Sequence, residues 1–338
     1  MEDRPMNRSL RVLFFAHHQV GLAAFHGLRE AGHEIIACFT HPTVNSWIPS
    51  LRGPCNEAGI SCWEEIPNPG DASRFRESRP DLIVSAGYQR RVSLPFLALP
   101  RWGAINAHLA PLPRYRGALP IRWGIINGEN SWAITIHAMT HNYNEGGILR
   151  ERFVALRESD NAYDLHLRCS QIAAQTMREI VNDIAAGGGD LRAQDVRGVR
   201  CFNSTLPCGG RIDWNQSAIQ LAAFVRAMDL GRDRIDGTYE HLSAPAKATV
   251  NGQEVGLWRA RAGGTMSAFP PGTITRSDGE VWVQTGKGHL VLEQLCDSRG
   301  QDFRVAEYLN THRIRTGESF DTHHSWNSLR QSQLEFAA

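Results

Sequence analysis

Arg11-Val12-Leu13-Phe14-Phe15-Ala16 and Glu34-Ile35-Ile36-Ala37-Cys38-Phe39-Thr40 are the two runs on which the fold turns. Each is short and apolar, as a strand buried on both faces must be. The first ends at the turn-like His17-His18-Gln19. Leu22 to Ala31 then carries apolar residues at helical spacing and stops at Gly32, a natural C-cap. Strand, helix and strand in so short a span make a βαβ unit, and that unit demands a parallel sheet.

Working outward, Asp81 to Ser85 and Gly103 to Asn106 read as further buried strands. Pro120 to Ile126 reads as a short helix with proline in its first turn, and Trp132 to Met139 alternates like a strand. Tyr163 to Ala185 is the clearest long helix, with Asp160 and Asp164 placed to cap it and Gly187-Gly188-Gly189 ending it. Beyond the glycines the pattern changes. One helix (Ala218 to Met228) precedes short strand-like runs at 248–258, 279–285 and 289–295. Short strands at that spacing predict a small barrel or sandwich. The expected organisation is a Rossmann-like parallel-sheet α/β domain over residues 1–200, a smaller β-rich, OB-like barrel domain over 206–315, and a loosely held tail over 316–338 that includes His323-His324.

The 338 residues are 42% hydrophobic and 21% charged, the balance of an ordinary globular protein. The net charge of +1 offers nothing to hold nucleic acid or an anionic membrane in bulk. The N-terminal residues are polar, and no apolar run approaches the roughly 20 residues that span a bilayer. The seven cysteines are scattered, with no Cys-x-x-Cys pair, which predicts reduced thiols, a cytoplasmic protein and no metal site. Neither Gly-x-Gly-x-x-Gly nor a phosphate-cradling P-loop follows the first strand, so a ligand must be held by another device.

The chemistry is concentrated in Ile105-Asn106-Ala107-His108-Leu109-Ala110-Pro111-Leu112-Pro113-Arg114-Tyr115-Arg116-Gly117. Strand alternation puts Asn106 and His108 on one face at the carboxyl end of a central strand, where open α/β sheets gather their ligands. An amide and an imidazole together suit acyl transfer, one as oxyanion donor and the other as proton handler. Read from spacing alone, both residues equally suit a structural task, satisfying backbone groups at a strand end.

Asn106, His108, the run Leu112-Pro113-Arg114-Tyr115-Arg116-Gly117, then Pro120, Trp123 and Asn127-Gly128-Glu129 resemble the N10-formyltetrahydrofolate-dependent formyltransferases. That family includes sugar-nucleotide N-formyltransferases and methionyl-tRNA formyltransferase. Similar runs extend over about residues 10–315, among them Phe39-Thr40-His41, Cys201-Phe202, Ile212-Asp213-Trp214, Pro271-Gly272-Thr273 and Thr285-Gly286-Lys287-Gly288. The resemblance implies an Asn–His–Asp catalytic set. It also implies a folate pocket lined by Gly87-Tyr88-Gln89-Arg90-Arg91-Val92 and by Tyr143. N10-formyltetrahydrofolate would be the co-substrate, with no metal. The implied partners are a small-molecule amine, tetrahydrofolate and a second copy of the chain, with neither membrane nor nucleic acid.

One position departs from the family. In Asn142-Tyr143-Asn144-Glu145-Gly146-Gly147-Ile148-Leu149, alignment on Ile148-Leu149 puts Asn144 where the family has Asp. An amide accepts no net proton and carries no charge. Either Glu145 moves in by a one-residue shift, or it faces solvent and the site works without a carboxylate. The resemblance therefore implies formyl transfer to an amine of a small biosynthetic metabolite, such as an amino sugar, an aminoglycoside-like intermediate or a hydroxyornithine-type acceptor. The alternatives are methionyl-tRNA formyltransferase and a folate-binding homologue with altered or lost transfer. Between Leu206 and Arg315 there are 13 basic and 12 acidic residues, too even a balance to grip tRNA phosphates.

Overall fold

Burial on both faces decides the first layer. In β1 (Arg11–Ala16) every residue but Arg11 is buried, and β4 (Leu82–Ala86) is buried throughout. With β2 (Glu34–Phe39), β3 (Cys62–Trp63), β5 (Ala104–His108), β6 (Ser131–Ala138) and β7 (Ile148–Ala155) they form a seven-stranded sheet in the order β3-β2-β1-β4-β5-β6-β7. The five strands from β3 to β5 pair in parallel. β6 and β7 are antiparallel additions, so the sheet is mixed rather than wholly parallel. The computed structural model describes residues 8–42, 49–231, 244–264, 269–277 and 279–322, and His323-His324 lie outside the described residues.

The longer helices that accompany these strands in sequence are α1 (His18–Glu30), α2 (Pro120–Ile126) and α3 (Ala162–Ala185). His18, expected in a turn, instead opens α1, with His17 as its N-cap. That helix buries Val20, Ala24, Phe25 and Leu28 and ends where Gly32 takes a φ of +85° and returns its N–H to the Arg29 carbonyl. On the opposite face of the sheet Phe15 stacks on Phe39 at 4.4 Å, and Phe96 meets both edge-on. The cap of α3 is Asn161, whose side-chain oxygen accepts the Asp164 N–H. The Asp160 carboxylate instead accepts the N–H of Arg157 in the turn before. Asn wins because its short amide reaches a free N–H of the first turn.

The chain divides into two compact units. One takes Met1–Gly117, Ser131–Ala155 and His166–Arg200; the other takes Ala118–Asn130, Leu156–Leu165 and Cys201–Ala338. In the second unit α2, buried from Ile121 to Ile126, packs against α4 (Ala218–Met228). α4 begins at a reciprocal cap in which the Ser217 hydroxyl takes the Gln220 N–H and the Gln220 side chain takes the Ser217 N–H.

The rest of that unit is an antiparallel sheet of β8 (Ala246–Val250), β9 (Gln253–Gly263), β10 (Ile274–Ser277), β11 (Glu280–Gln284) and β12 (His289–Cys296), ordered β8-β9-β12-β11-β10. A short β13 (Asp302–Phe303) pairs with β12, ahead of α5 (Val305–Thr311). The run 248–258 is a hairpin rather than one strand. It reverses at Asn251-Gly252, where φ is +50° and +73°, the two-residue turn that matches strand twist. Gly317 to Asp321 is not a loose tail. Gly317 donates to Ile274, Ile274 to Glu318, Phe320 to Gly272 and Asp321 to Thr249, so one segment joins both edges of the sheet and closes it. Phe320 is buried against Trp214, ring centres 5.2 Å apart. A sparse polar stretch hides this role because backbone pairing leaves no periodic signature.

Candidate active site

β5 sets the site. Asn106 lies mid-strand, paired with Ser85 of β4 and His137 of β6, and His108 ends the strand opposite Thr135. The loop that follows is pinned to β6 at three points. Thr135 donates its hydroxyl hydrogen to the Ala110 carbonyl and accepts the Leu112 N–H, and the Trp132 indole donates to the Leu109 carbonyl. Tyr115, fully buried, packs edge-on against Trp132.

This rigid loop fixes the state of His108. Its Nε2 lies 2.7 Å from the Tyr115 carbonyl, which can only accept, so Nε2 carries the proton and Nδ1 keeps its lone pair. Burial lowers the His108 pKa to about 4 against the opposing pull of that hydrogen bond, so the ring is neutral near pH 7. His137 is held the same way. Nδ1 donates to the Ala138 carbonyl at 2.8 Å, and Nε2 accepts the Asn106 amide N–H at 3.1 Å. Its pKa is also lowered to about 4, first by burial and then by the neighbouring His108. The two rings stand 6.5 Å apart. Asn106 thus has its amide nitrogen oriented by His137, with a second N–H left for a ligand.

Asn144, buried, lies beside His137 and acts to raise its pKa against the larger effect of burial. Its φ of +59° is left-handed, a conformation that Asn and Asp tolerate far better than most residues. Gln194 fixes the loop from below: its amide donates to the Asn144 and Gly146 carbonyls, both at 2.8 Å, while Arg116 donates twice to its oxygen. Gly146 has no alternative there, because a Cβ would drive into the Ala138 carbonyl. Glu145 is not in the site. Its carboxylate is half-exposed, bonded to Asn142 at 2.8 Å and 3.6 Å from Arg116. The structure therefore brings Asn106, His108 and Asn144 around His137 and leaves Glu145 outside.

The loop after β4 meets a histidine cluster. Gly87 has a φ of +72° with its backbone against the His17 carbonyl, where no Cβ fits. Tyr88 stacks on His41 at 4.5 Å. The Gln89 backbone N–H donates to His41, and its side chain lies 2.8 Å from His18 Nε2. Arg90 is exposed, its charge acting on His41. Arg91 lies over the Tyr143 ring at 4.9 Å, tying this loop to the loop of Asn144. Val92, expected to line the pocket, turns into the phenylalanine core and is buried there.

His137, Arg116, Gln194 and His41 are absent from the expected set. His137 had a signal: alternation along β6 puts it on the face of Thr135, and antiparallel pairing with β5 brings it to Asn106. Gln194 had none, since it acts on backbone from 50 residues away. Among the described residues three of the scattered cysteines, Cys38, Cys55 and Cys62, also come together, with their sulfurs all within 4.8 Å of one another.

Comparison with known proteins follows from this geometry. Residues 68–181 match the formyl transferase family model, and residues 207–313 match the model of the formyl transferase C-terminal domain. Similar structures include an N-formyltransferase from Helicobacter canadensis, in complex with folinic acid and dTDP-3-aminofucose (13% identity, TM-score 0.65, 87% of this chain and 100% of that one). WlaRD, a sugar 3N-formyl transferase, aligns at 10% identity and a TM-score of 0.61 over 84% of this chain and 97% of its own. HypX from Aquifex aeolicus aligns at 17% identity and a TM-score of 0.60 over 92% of this chain, which spans about half (49%) of HypX. These identities carry the fold. The two family matches lie in consecutive order and together take in more than half of the residues, and on them the chain belongs to the formyl transferase family.

Proposed function

We propose that this chain transfers the formyl group of N10-formyltetrahydrofolate to an amine of a small biosynthetic metabolite. The observation that carries the reading is the pair at β5: an amide with a spare N–H beside an imidazole locked neutral with its Nδ1 lone pair open. In transfer the bond from formyl carbon to folate N10 breaks and a bond to the acceptor nitrogen forms. The acceptor loses one proton and N10 gains one. Formylfolate supplies an activated one-carbon carbonyl. Asn106 donates to the oxygen as charge develops on it, in a site whose geometry is already set. His108 Nδ1 takes the proton from the attacking amine, and the Tyr115 carbonyl steadies the Nε2–H of the ring as charge forms. His137 positions the Asn106 amide.

The donor set beside the site suits a folate. Tyr88 and Tyr143 offer ring faces, and Arg90 and Arg91 offer cations that complement its glutamate carboxylates. The acceptor classes that fit are amino sugars, aminoglycoside-like amines and hydroxyornithine-type amines. No helix among the described residues is long and apolar enough to cross a membrane, and the even charge of residues 206–315 speaks against tRNA.

A second reading has its own observation. With Asn144 beside His137 and Glu145 held by Asn142 and Arg116, no carboxylate among the described residues supports the imidazoles. Such a site favours an acceptor that sheds its proton easily, such as a hydroxylamine or hydrazine, or retains folate binding without turnover. The test is release of tetrahydrofolate from N10-formyltetrahydrofolate in the presence of a panel of amines. Formylated product with any amine supports transfer. Tight folate binding with no product from the whole panel selects the second reading.

A further inference from the structure

Cys38 and Cys62 stand on β2 and β3, three and four strands from the β5 site, and Cys55 joins them from a neighbouring helix. Cys38 of β2 and Cys62 of β3 are register partners on neighbouring parallel strands, and their side chains emerge side by side. A short helix, Arg52–Glu57, lies over them and contributes Cys55, the one buried residue in its six. Cys38 and Cys55 are fully buried, while Cys62 is half-buried and gives a path from solvent. Two guanidinium groups lie close enough to act on the cluster, Arg29 on Cys55 and Arg52 on Cys62, the latter also paired with Glu64 at 2.8 Å.

Two features separate this group from ordinary core cysteine. Buried cysteines outside disulfides usually stand as small apolar fillers. Here three sulfurs converge from three separate elements. Sulfurs that share one ion at about 2.3 Å each sit about 3.8–4.0 Å apart, so the observed separation of 4.8 Å or less needs only a small contraction. The helix itself is too short to stand alone in water and presents little apolar surface, so a link through Cys55 would fasten it to the sheet edge.

We propose that Cys38, Cys55 and Cys62 form a three-thiolate site for one thiophilic closed-shell metal ion, copper(I) or zinc(II), which staples the 52–57 helix to strands β2 and β3. Thiolate sulfur selects these ions over magnesium, calcium or manganese. Each thiol loses its proton on binding, and the nearby arginines offset the negative charge that remains. With no fourth protein ligand among the described residues, copper(I) would be three-coordinate and zinc would add a water at the Cys62 opening.

The test uses the full chain, reduced and stripped of metal, titrated anaerobically with copper(I) or with zinc(II) against a chromophoric chelator. The expected result is one equivalent taken up, lost in Cys62→Ser and unchanged in Cys201→Ser. The metal that outcompetes the chelator identifies the ion. Because Cys38→Ser and Cys55→Ser alter buried positions, alkylation of the wild-type chain supplies the second measurement. Cys62, which opens to solvent, should be alkylated in the stripped chain and protected by bound metal, while Cys201 reacts in both. No uptake of either ion at one equivalent, full uptake in Cys62→Ser, or a disulfide joining two of the three in the isolated chain would each overturn the proposal.

Discussion

Two neutral imidazoles and one amide, all held by backbone carbonyls or by each other, define what single substitutions should do. Asn106→Ala removes the donor aimed by His137, and His108→Ala removes the open Nδ1. Each should lower kcat by roughly 10² or more with the fold intact, the scale for losing one such group. Turnover near wild type on a true acceptor, with native circular dichroism, would refute the assignment. The pair Asn144 and Glu145 separates more finely. Glu145→Gln should be almost silent, because that carboxylate meets Asn142 and Arg116 rather than the rings. Asn144→Asp keeps a residue type suited to the left-handed backbone and gives His137 a charged partner. It should raise the His137 pKa from about 4, visible by NMR titration, and increase transfer to ordinary amines. Asn106 and His108 were legible in sequence because alternation within one strand fixes their common face. His137 needed the register between two strands, which no single run of sequence states.

The elements of the sheet domain were legible because β1, β2 and β4 are largely buried on both faces past their first residues and therefore mostly apolar. What the sequence hid were segments whose work is done by backbone. Gly317 to Asp321 shows no period, yet its hydrogen bonds to Gly272, Ile274 and Thr249 close the barrel, and Phe320 is its only large apolar anchor. Phe320→Ala should cost about 3–5 kcal/mol, the usual loss for emptying a buried phenylalanine site. A stop codon after Thr316 should do more, because it also exposes the paired edges of β8 and β10 to other chains. Thermal melts and sedimentation check both. An unchanged melting temperature in Phe320→Ala would show that the segment does not hold the barrel shut. The 139–147 loop was equally opaque: its glycine and its left-handed asparagine are explained only by Ala138 and Gln194, which the sequence places elsewhere.

At the scale of the molecule, burial has left several histidines reluctant to charge. His17 is lowered to about 3, and His18, His108, His137 and His166 to about 4, burial being the first cause in each. Unfolded histidine titrates near 6.5, so below that pH the unfolded chain binds protons that the folded chain refuses. Stability should be level above about pH 7 and fall as pH drops from 6.5 towards 4, with net proton uptake on unfolding in that window. A melting temperature that stays flat from pH 7 to pH 4.5 would contradict the buried, neutral rings. Folate binding offers the complementary check. A non-hydrolysable formylfolate analogue at saturation should raise the melting temperature of the full chain, because a ligand of the native state stabilises it. No shift at saturation would count against the loop of Tyr88 to Arg91 as its seat.

The interleaving of the two units has a consequence for descent. The chain passes from one unit to the other after Gly117, Asn130, Ala155, Leu165 and Arg200. A recombination that replaced everything beyond Arg200 would deliver a foreign α4 to the resident α2, which is buried from Ile121 to Ile126 and packs against the native one. The hybrid would inherit a mismatched helix pair from its first generation. An exchange that kept the helix pair matched would therefore have to carry α2 along with everything beyond Arg200.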